Sequence, residues 1–122
     1  LYHSNEKDLK LLPDSFSKLQ EKMKTVDRMV FIAPEYNGSV PPNFNNFLAW
    51  CSVSSKDWRE FFNGKKAVVA THSGGGGAHV LMHMRMQLSF IGMNVVGREI
   101  LTNYKKPLNP DSSEAVITQL LS

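Results

Sequence analysis

Two short apolar runs, each ended abruptly by a loop, constrain the fold of this chain more than any other feature. Residues 29–33 are apolar and stop at Pro34, and residues 65–71 contain an apolar stretch that ends shortly before four consecutive glycines. Such runs are typical of parallel strands that are buried on both faces. We therefore expect two buried strands, one followed by the first loop (residues 34–39) and the other by the glycine loop (residues 73–77).

In the segments before, between and after these runs, apolar residues recur at helical spacing, which predicts helices. Prolines at the start and glycine at the end of such segments mark their boundaries. The predicted elements are a helix over 12–25, a strand over 29–33, a helix opened by Pro41 and Pro42, a short helix over 58–62, a strand over 65–71, a helix over 78–91 ended by Gly92, a strand over 93–96, and a last helix capped by Asn109 or Asp111.

Strands that alternate with helices predict an α/β fold, in which a parallel sheet carries helices on both faces. Ligands of such sheets bind outside the carboxyl ends of the strands. Because the first loop and the glycine loop each follow a strand, both are expected at that edge of the sheet. The sequence therefore predicts that the two loops are neighbours and form one ligand site.

Length and composition describe one domain. A chain of 122 residues with 42% hydrophobic residues suits a single core.

The formal net charge is +3 and the basic residues are spread along the chain, so no nucleic-acid partner is expected. The sequence has no apolar run of about 18 residues, so no membrane partner is expected either. The single cysteine, Cys51, suits a buried thiol in a reducing compartment, which favours the cytoplasm.

The first loop contains a long and specific motif. Residues 33–41 read Ala-Pro-Glu-Tyr-Asn-Gly-Ser-Val-Pro and are followed by Asn46 and Trp50. This stretch resembles the NAD(P)H-dependent FMN reductase family, whose hallmark is the Pro-Glu-Tyr-Asn-Gly-Ser segment. The glycine loop and residues 85–88 and 92–96 also fall where that family has similar residues. The resemblance runs through nearly the whole chain.

The resemblance implies a flavodoxin-like, three-layer α/β/α domain over residues 1–122, with FMN as cofactor. In that family the first loop holds the isoalloxazine ring, and the glycine loop lies on the other side of the ring. A flavin needs a flat apolar slot with amide groups at its edge, and glycine lets the backbone approach closely. The resemblance thus implies an FMN-binding role for Pro34, Glu35, Tyr36, Asn37, Gly38, Ser39, Ser73, Gly74, Gly75, Gly76 and Gly77.

One part of the family pattern has no counterpart in this sequence. The family binds the FMN phosphate on a loop after its first strand, and against that pattern this chain begins just before the first predicted helix. We therefore expect that two strands, one helix and the phosphate loop are missing, and that the sheet has an exposed edge. This departure keeps an alternative open, a non-catalytic scaffold or oligomerisation module that binds no flavin.

The resemblance implies an enzyme, an NAD(P)H-dependent reductase. It would pass a hydride from NADPH or NADH through FMN to a small-molecule acceptor, which is a quinone, an azo compound, a flavin or a metal ion. Hydride transfer needs no protein acid at the carbon centre, so no catalytic residue is assigned and Glu35 is expected to be structural. Neither the family nor the spacing supports Cys51 as a nucleophile.

Two histidines are spaced so that they share a face of the third long helix. His79 and His83 are four residues apart, but a third ligand of suitable type is not apparent, so no metal site is expected. We expect these histidines to face solvent or an interface.

The same helix carries two apolar stripes, although one suffices to pack on a sheet. The stripes are Leu81, Met84, Leu88 and Ile91, and Met82, Met86 and Phe90. The second stripe is explained equally by a partner surface and by burial within the chain itself. Because the resembled family forms dimers and tetramers, we expect a homodimer or a homotetramer.

Overall fold

The computed structural model describes residues 12–122, and these form a parallel sheet with helices on both faces. The strands are β1 (Arg28–Ile32), β2 (Lys66–His72), β3 (Asn94–Val95) and β4 (Ile100–Thr102), and the helices are α1 (Asp14–Thr25), α2 (Pro42–Val53), α3 (Ala78–Phe90) and α4 (Pro110–Leu121). A 3₁₀ helix spans Trp58–Phe61. The predicted α/β class is confirmed.

Strand β2 lies in the middle of the described sheet. It pairs in parallel with β1 along one side, where Val30 lies opposite Val68. Along its other side it pairs first with β3 and then with β4, both in parallel. The carboxyl ends of β1, β2 and β4 therefore meet at one edge of the sheet, and this edge carries the two predicted loops.

Strand β4 was not predicted from the sequence. We expected one strand over residues 93–96, whereas the sheet partner of β2 is interrupted and resumes at Ile100–Thr102. Gly97, Arg98 and Glu99 break the apolar run, so periodicity gives no sign that the strand continues. Arg85 of α3 supports the interruption, since its guanidinium donates to the carbonyl of Val96 at 2.8 Å and to Glu99 Oε2 at 2.8 Å.

The core has two parts, one on each face of the sheet. The larger part joins Ala67 and Val69 of β2 to residues of α2 and α3, with Met23 of α1 at its border. The smaller part joins Val68 of β2 to Val116 and Leu120 of α4. Alternate residues of one strand thus enter the two cores, as the two-residue repeat of a strand requires.

The prediction that both runs are buried on both faces is wrong for β1. Strand β2 is buried as expected, but Val30 is 43% exposed and Ile32 is 75% exposed. These two residues point to the face that carries α4, and α4 packs over Val68 and Val96 and leaves them uncovered. Within the described residues β1 is an edge strand, in line with the exposed edge that we expected.

The two stripes of α3 have different surroundings. Leu81, Met84 and Leu88 are fully buried against the sheet, which confirms the first stripe. In the second stripe Met82 and Met86 are about three-fifths exposed, and Phe90 is 80% exposed. The described part of the chain therefore does not cover the second stripe.

Candidate functional site

The first loop is built around a tight two-residue turn. The amide of Tyr36 donates to the carbonyl of Ser39 at 2.9 Å, and the amide of Ser39 donates back at 3.0 Å. Asn37 and Gly38, at the tip of the turn, have φ values of 49° and 77°. Positive φ at both central residues is the geometry that an Asn-Gly pair favours. The sequence Tyr-Asn-Gly-Ser therefore specifies this turn through its backbone preferences.

The glycine loop is fixed at its ends. Ser73 is buried, and its amide donates to the carbonyl of Thr102 in β4 at 3.0 Å. Gly77 has a φ of 89° and lies so close to Thr71 that an added Cβ would be 2.7 Å from the Thr71 methyl group. Between these ends, Gly74, Gly75 and Gly76 are exposed. Within this exposed stretch the amide of Gly75 donates to Ser73 Oγ at 3.1 Å. The middle of the loop is thus exposed backbone between two anchored residues.

The two loops lie side by side, as we expected. Below them, Thr71 Oγ1 donates to the carbonyl of Ala33 at 2.6 Å and joins the ends of β2 and β1. At the level of the loops, a Cβ built on Gly75 would be 3.1 Å from Glu35 Oε1. Each loop follows its strand at the same sheet edge, so the parallel topology alone accounts for this proximity.

Glu35 holds the first loop against the start of α3. Its Oε2 accepts a hydrogen bond from the amide of Val80 at 3.1 Å. Val80 lies in the first turn of α3, where amides lack partners within the helix and the helix dipole favours a negative charge. Glu35 therefore stabilises a helix end, which agrees with the structural role that we expected for it.

The two histidines of α3 face the first loop. His83 Nδ1 lies 2.9 Å from Ser39 Oγ, and a Cβ built on Gly38 would lie 3.6 Å from His79 Nδ1. His79 is exposed, as expected, whereas His83 is partly buried and contacts Ser39. Across residues 12–122, no group of three or more His, Cys, Asp or Glu is placed to hold a metal ion.

A third loop, residues 103–106, borders the same edge and was not predicted. Asn103 and Lys106 exchange backbone hydrogen bonds, and Asn103 Oδ1 accepts from the amides of Lys105 and Lys106. Tyr104 lies over the glycine loop, 3.5 Å from the Cβ position of Gly74, and a cavity of about 260 Å³ lies between the two loops. The sequence signal for it is Asn103, since asparagine often starts a turn through its side chain.

Cys51 lies inside the core, in α2. It is fully buried, and this burial raises the pKa of its thiol to about 12. The thiol is therefore neutral near pH 7, whereas a nucleophilic cysteine needs its thiolate form. The geometry agrees with our expectation that Cys51 is not a nucleophile.

Comparison with known proteins identifies the family. The sequence pattern of the family described as NADPH-dependent FMN reductase matches residues 1–106. The chain belongs to this family. Among its curated relatives, the quinone reductase of Escherichia coli strain K12 is 30% identical over 100 residues, which are 80% of this chain and 52% of the relative. The chain thus spans about half the length of the curated relatives it matches.

Solved structures show the fold of this FMN reductase family member. The flavoenzyme FerB, an NAD(P)H:(acceptor) oxidoreductase from Paracoccus denitrificans, superposes with a TM-score of 0.73 at 21% identity, covering 98% of this chain and 71% of FerB. An archaeal flavodoxin superposes with a TM-score of 0.62 at 12% identity, covering 92% of this chain and 69% of the flavodoxin. The fold is therefore flavodoxin-like. No helix within residues 12–122 is long and apolar enough to cross a membrane.

Proposed function

We propose that the first loop and the glycine loop together form the binding site for the ring of FMN, and that the chain is the ring-binding part of an NAD(P)H-dependent oxidoreductase. The observation that carries this proposal is the close approach of the two loops at one sheet edge, where Glu35 lies beside Gly75, in a chain of the FMN reductase family. The acceptor that we propose is a small molecule, with a quinone first because a relative bears that name.

The glycine loop fits a flat ligand. Gly74 and Gly75 are exposed and do not have positive φ, so their backbone conformation does not require glycine. A Cβ on Gly74 would make only an ordinary contact with Tyr104, at 3.5 Å. A Cβ on Gly75 would lie 3.1 Å from Glu35 Oε1, so glycine at that position lets the two loops approach each other. Close approach of a ligand to the backbone is therefore our explanation for Gly74.

The first loop fits the polar edge of a ring. Its internal hydrogen bonds use the backbone groups of Tyr36 and Ser39, so the amides of Asn37 and Gly38 at the tip are not used within the turn. The Tyr36 side chain is 53% exposed and provides an apolar surface beside them. A rigid turn that combines free amides with an aromatic surface is suited to bind and orient a flavin.

The residues of the two loops act by positioning and not by acid–base chemistry. FMN held by these residues would supply two-electron chemistry between NADPH or NADH and the acceptor. The loops orient the ring and exclude water from one side of it. Glu35, the carboxylate of the site, is engaged with the amide of Val80, so we assign it no proton transfer.

The first test is FMN binding, measured by the visible absorption of the purified chain after incubation with FMN and desalting. We propose that the exposed side-chain amide of Asn37 also binds the polar edge of the ring. The variant Asn37→Gly keeps the turn geometry and removes this amide, and Asn43→Ala at an exposed site of α2 is the matched control. We expect the wild type and the control to retain FMN, and Asn37→Gly to lose affinity by about tenfold. A wild-type chain that stays colourless would contradict the proposal and favour the flavin-free scaffold.

The second test is turnover. With FMN added, we expect oxidation of NADPH or NADH to depend on a quinone and to fall in Asn37→Gly in proportion to FMN occupancy. Comparing the two nicotinamides at equal concentration decides which is the donor. We place this activity in the cytoplasm, where reduced nicotinamide is available and a free buried thiol such as Cys51 persists.

We propose that the exposed stripe of α3 is the contact surface of a homodimer, or of one interface in a homotetramer. Three large apolar side chains on one helix face, Met82, Met86 and Phe90, form a patch of the kind that marks protein contacts. Sedimentation velocity tests it with Phe90→Lys and the control Leu121→Lys, since Leu121 of α4 is also 64% exposed. We expect only Phe90→Lys to yield monomers, and dissociation of both variants or of neither would contradict this interface.

A further inference from the structure

His83 contacts the first loop at the residue that closes its turn. The distance from His83 Nδ1 to Ser39 Oγ is 2.9 Å, and the contact is partly buried and joins residues 44 apart in sequence. Ser39 is the residue whose amide and carbonyl pair with Tyr36. A hydrogen bond at Ser39 therefore acts on the base of the turn, from which Asn37 and Gly38 project.

Helix α3 also holds the first loop at a second point and continues directly from the glycine loop. Glu35 Oε2 accepts from the amide of Val80, and His83 lies three residues further along the helix. The glycine loop ends at Gly77, which immediately precedes α3. Both loops are thus attached to the first two turns of one helix, so α3 fixes the distance between them.

We propose that His83 is a positioning residue, which sets the place of the turn Tyr36–Ser39 relative to the glycine loop through its hydrogen bond to Ser39 and thereby sets the affinity for FMN. The inference rests on the proposed function, because it makes His83 responsible for the position of the first loop within the same ring site. His83 does not touch the ring in this account, and Ser39 transmits its effect.

The distance of 2.9 Å from His83 Nδ1 to Ser39 Oγ indicates that His83 positions the turn through a hydrogen bond and not through packing of its ring. A histidine Nδ1 either accepts from a serine hydroxyl or donates to it, depending on the tautomer, so both neutral forms preserve the contact. An asparagine at this position carries its amide group at the same number of bonds from the backbone as Nδ1. The variant His83→Asn therefore keeps the hydrogen bond and removes the ring.

The experiment compares wild type, His83→Ala, His83→Asn and the control Ser89→Ala, an exposed position at the end of α3. Amide hydrogen exchange of the FMN-free chain is measured at Tyr36 and Ser39, with Val69 of β2 as the internal reference for an intact fold. FMN dissociation constants are then measured by fluorescence quenching. For His83→Ala we expect faster exchange at the two loop amides, unchanged exchange at Val69, and FMN binding weakened about fivefold to tenfold.

In the other two variants we expect different results. His83→Asn should recover most of the loop protection and of the FMN affinity, and Ser89→Ala should match the wild type. Unchanged loop exchange and affinity in His83→Ala would overturn the inference. Failure of His83→Asn to recover either quantity would also overturn it, because the effect would then come from packing of the ring.

The two arms separate this inference from the proposed function. A wild-type chain that binds no FMN would overturn the proposed function and the flavin role of His83 with it. The exchange arm needs no flavin and still decides whether His83 holds the turn. If the wild type binds FMN and His83→Ala changes neither measurement, only the inference fails.

Discussion

The first loop and the glycine loop meet at the same sheet edge, but their conformations have different causes. The first loop is held by hydrogen bonds along its length, within the Tyr36–Ser39 turn and through Glu35 and Ser39 to α3. The glycine loop is held at Ser73, whose Oγ also accepts from the amide of Gly75, and at Gly77, and the three glycines between them are exposed. The comparison indicates that hydrogen bonds fix the conformation of the first loop. In the glycine loop, the lack of side chains leaves the backbone accessible to a ligand.

The largest expected effect comes from the anchored end of the glycine loop. Gly77→Ala places a methyl group 2.7 Å from the Thr71 methyl in a left-handed backbone conformation. The strain and the overpacking together should lower the free energy of unfolding by about 2 to 4 kcal/mol. Urea denaturation monitored by tryptophan fluorescence measures this change. A loss below about 0.5 kcal/mol would show that this end of the loop relaxes freely.

The next effect concerns the strand ends that support both loops. Thr71→Val removes the buried hydrogen bond from Thr71 Oγ1 to the carbonyl of Ala33 with little change of shape. Because the carbonyl loses its partner, we expect the free energy of unfolding to fall by about 1 to 2 kcal/mol. Thr118→Val, on the exposed side of α4, is the control. Equal denaturation midpoints for the two variants would argue against a stabilising bond at this position.

A smaller effect separates the two residues at the tip of the first loop. Gly38 has a φ of 77°, so Gly38→Ala should cost about 1 kcal/mol of unfolding free energy. Asn37→Gly introduces a residue that tolerates positive φ equally well and should stay within about 0.5 kcal/mol of the wild type. Thermal denaturation of the two variants tests this order. The reverse order would mean that the Asn37 side chain, and not the backbone, maintains the turn.

The smallest effect on folding is expected at the open middle of the glycine loop. Gly74 does not have positive φ, and an added Cβ would have only an ordinary contact with Tyr104. Gly74→Ala should therefore leave the free energy of unfolding within about 0.5 kcal/mol of the wild type. Under the proposed function, its FMN affinity should nevertheless fall about tenfold, because the methyl group would occupy the ring site. Unchanged affinity would place the ring elsewhere.

Much of the fold was predictable because it follows from local preferences. The apolar runs ended by loops predicted β1 and β2 to within a residue or so, and Gly92 ends the third long helix with a φ of 106°. The Asn-Gly pair likewise indicated a turn. Strand β4 was missed because it has three residues and follows charged residues, so it depends on pairing with β2.

The contacts between segments far apart in the chain could not be predicted from the sequence. The distance of 44 residues from Ser39 to His83 is bridged only when α3 lies across the sheet, so spacing within the helix could not show it. The exposed face of β1 depends in the same way on where α4 packs. The neighbouring position of the two loops was predictable because parallel topology brings the carboxyl ends of strands together.

The central claim, that the two loops form one flavin site, is tested most directly by NMR titration of the labelled FMN-free chain with FMN. The account predicts that amide resonances of residues 35–39 and 73–77 shift together along one binding curve, whereas those of α4 (Pro110–Leu121) stay in place. Shifts confined to one loop, or located away from both loops, would contradict the account.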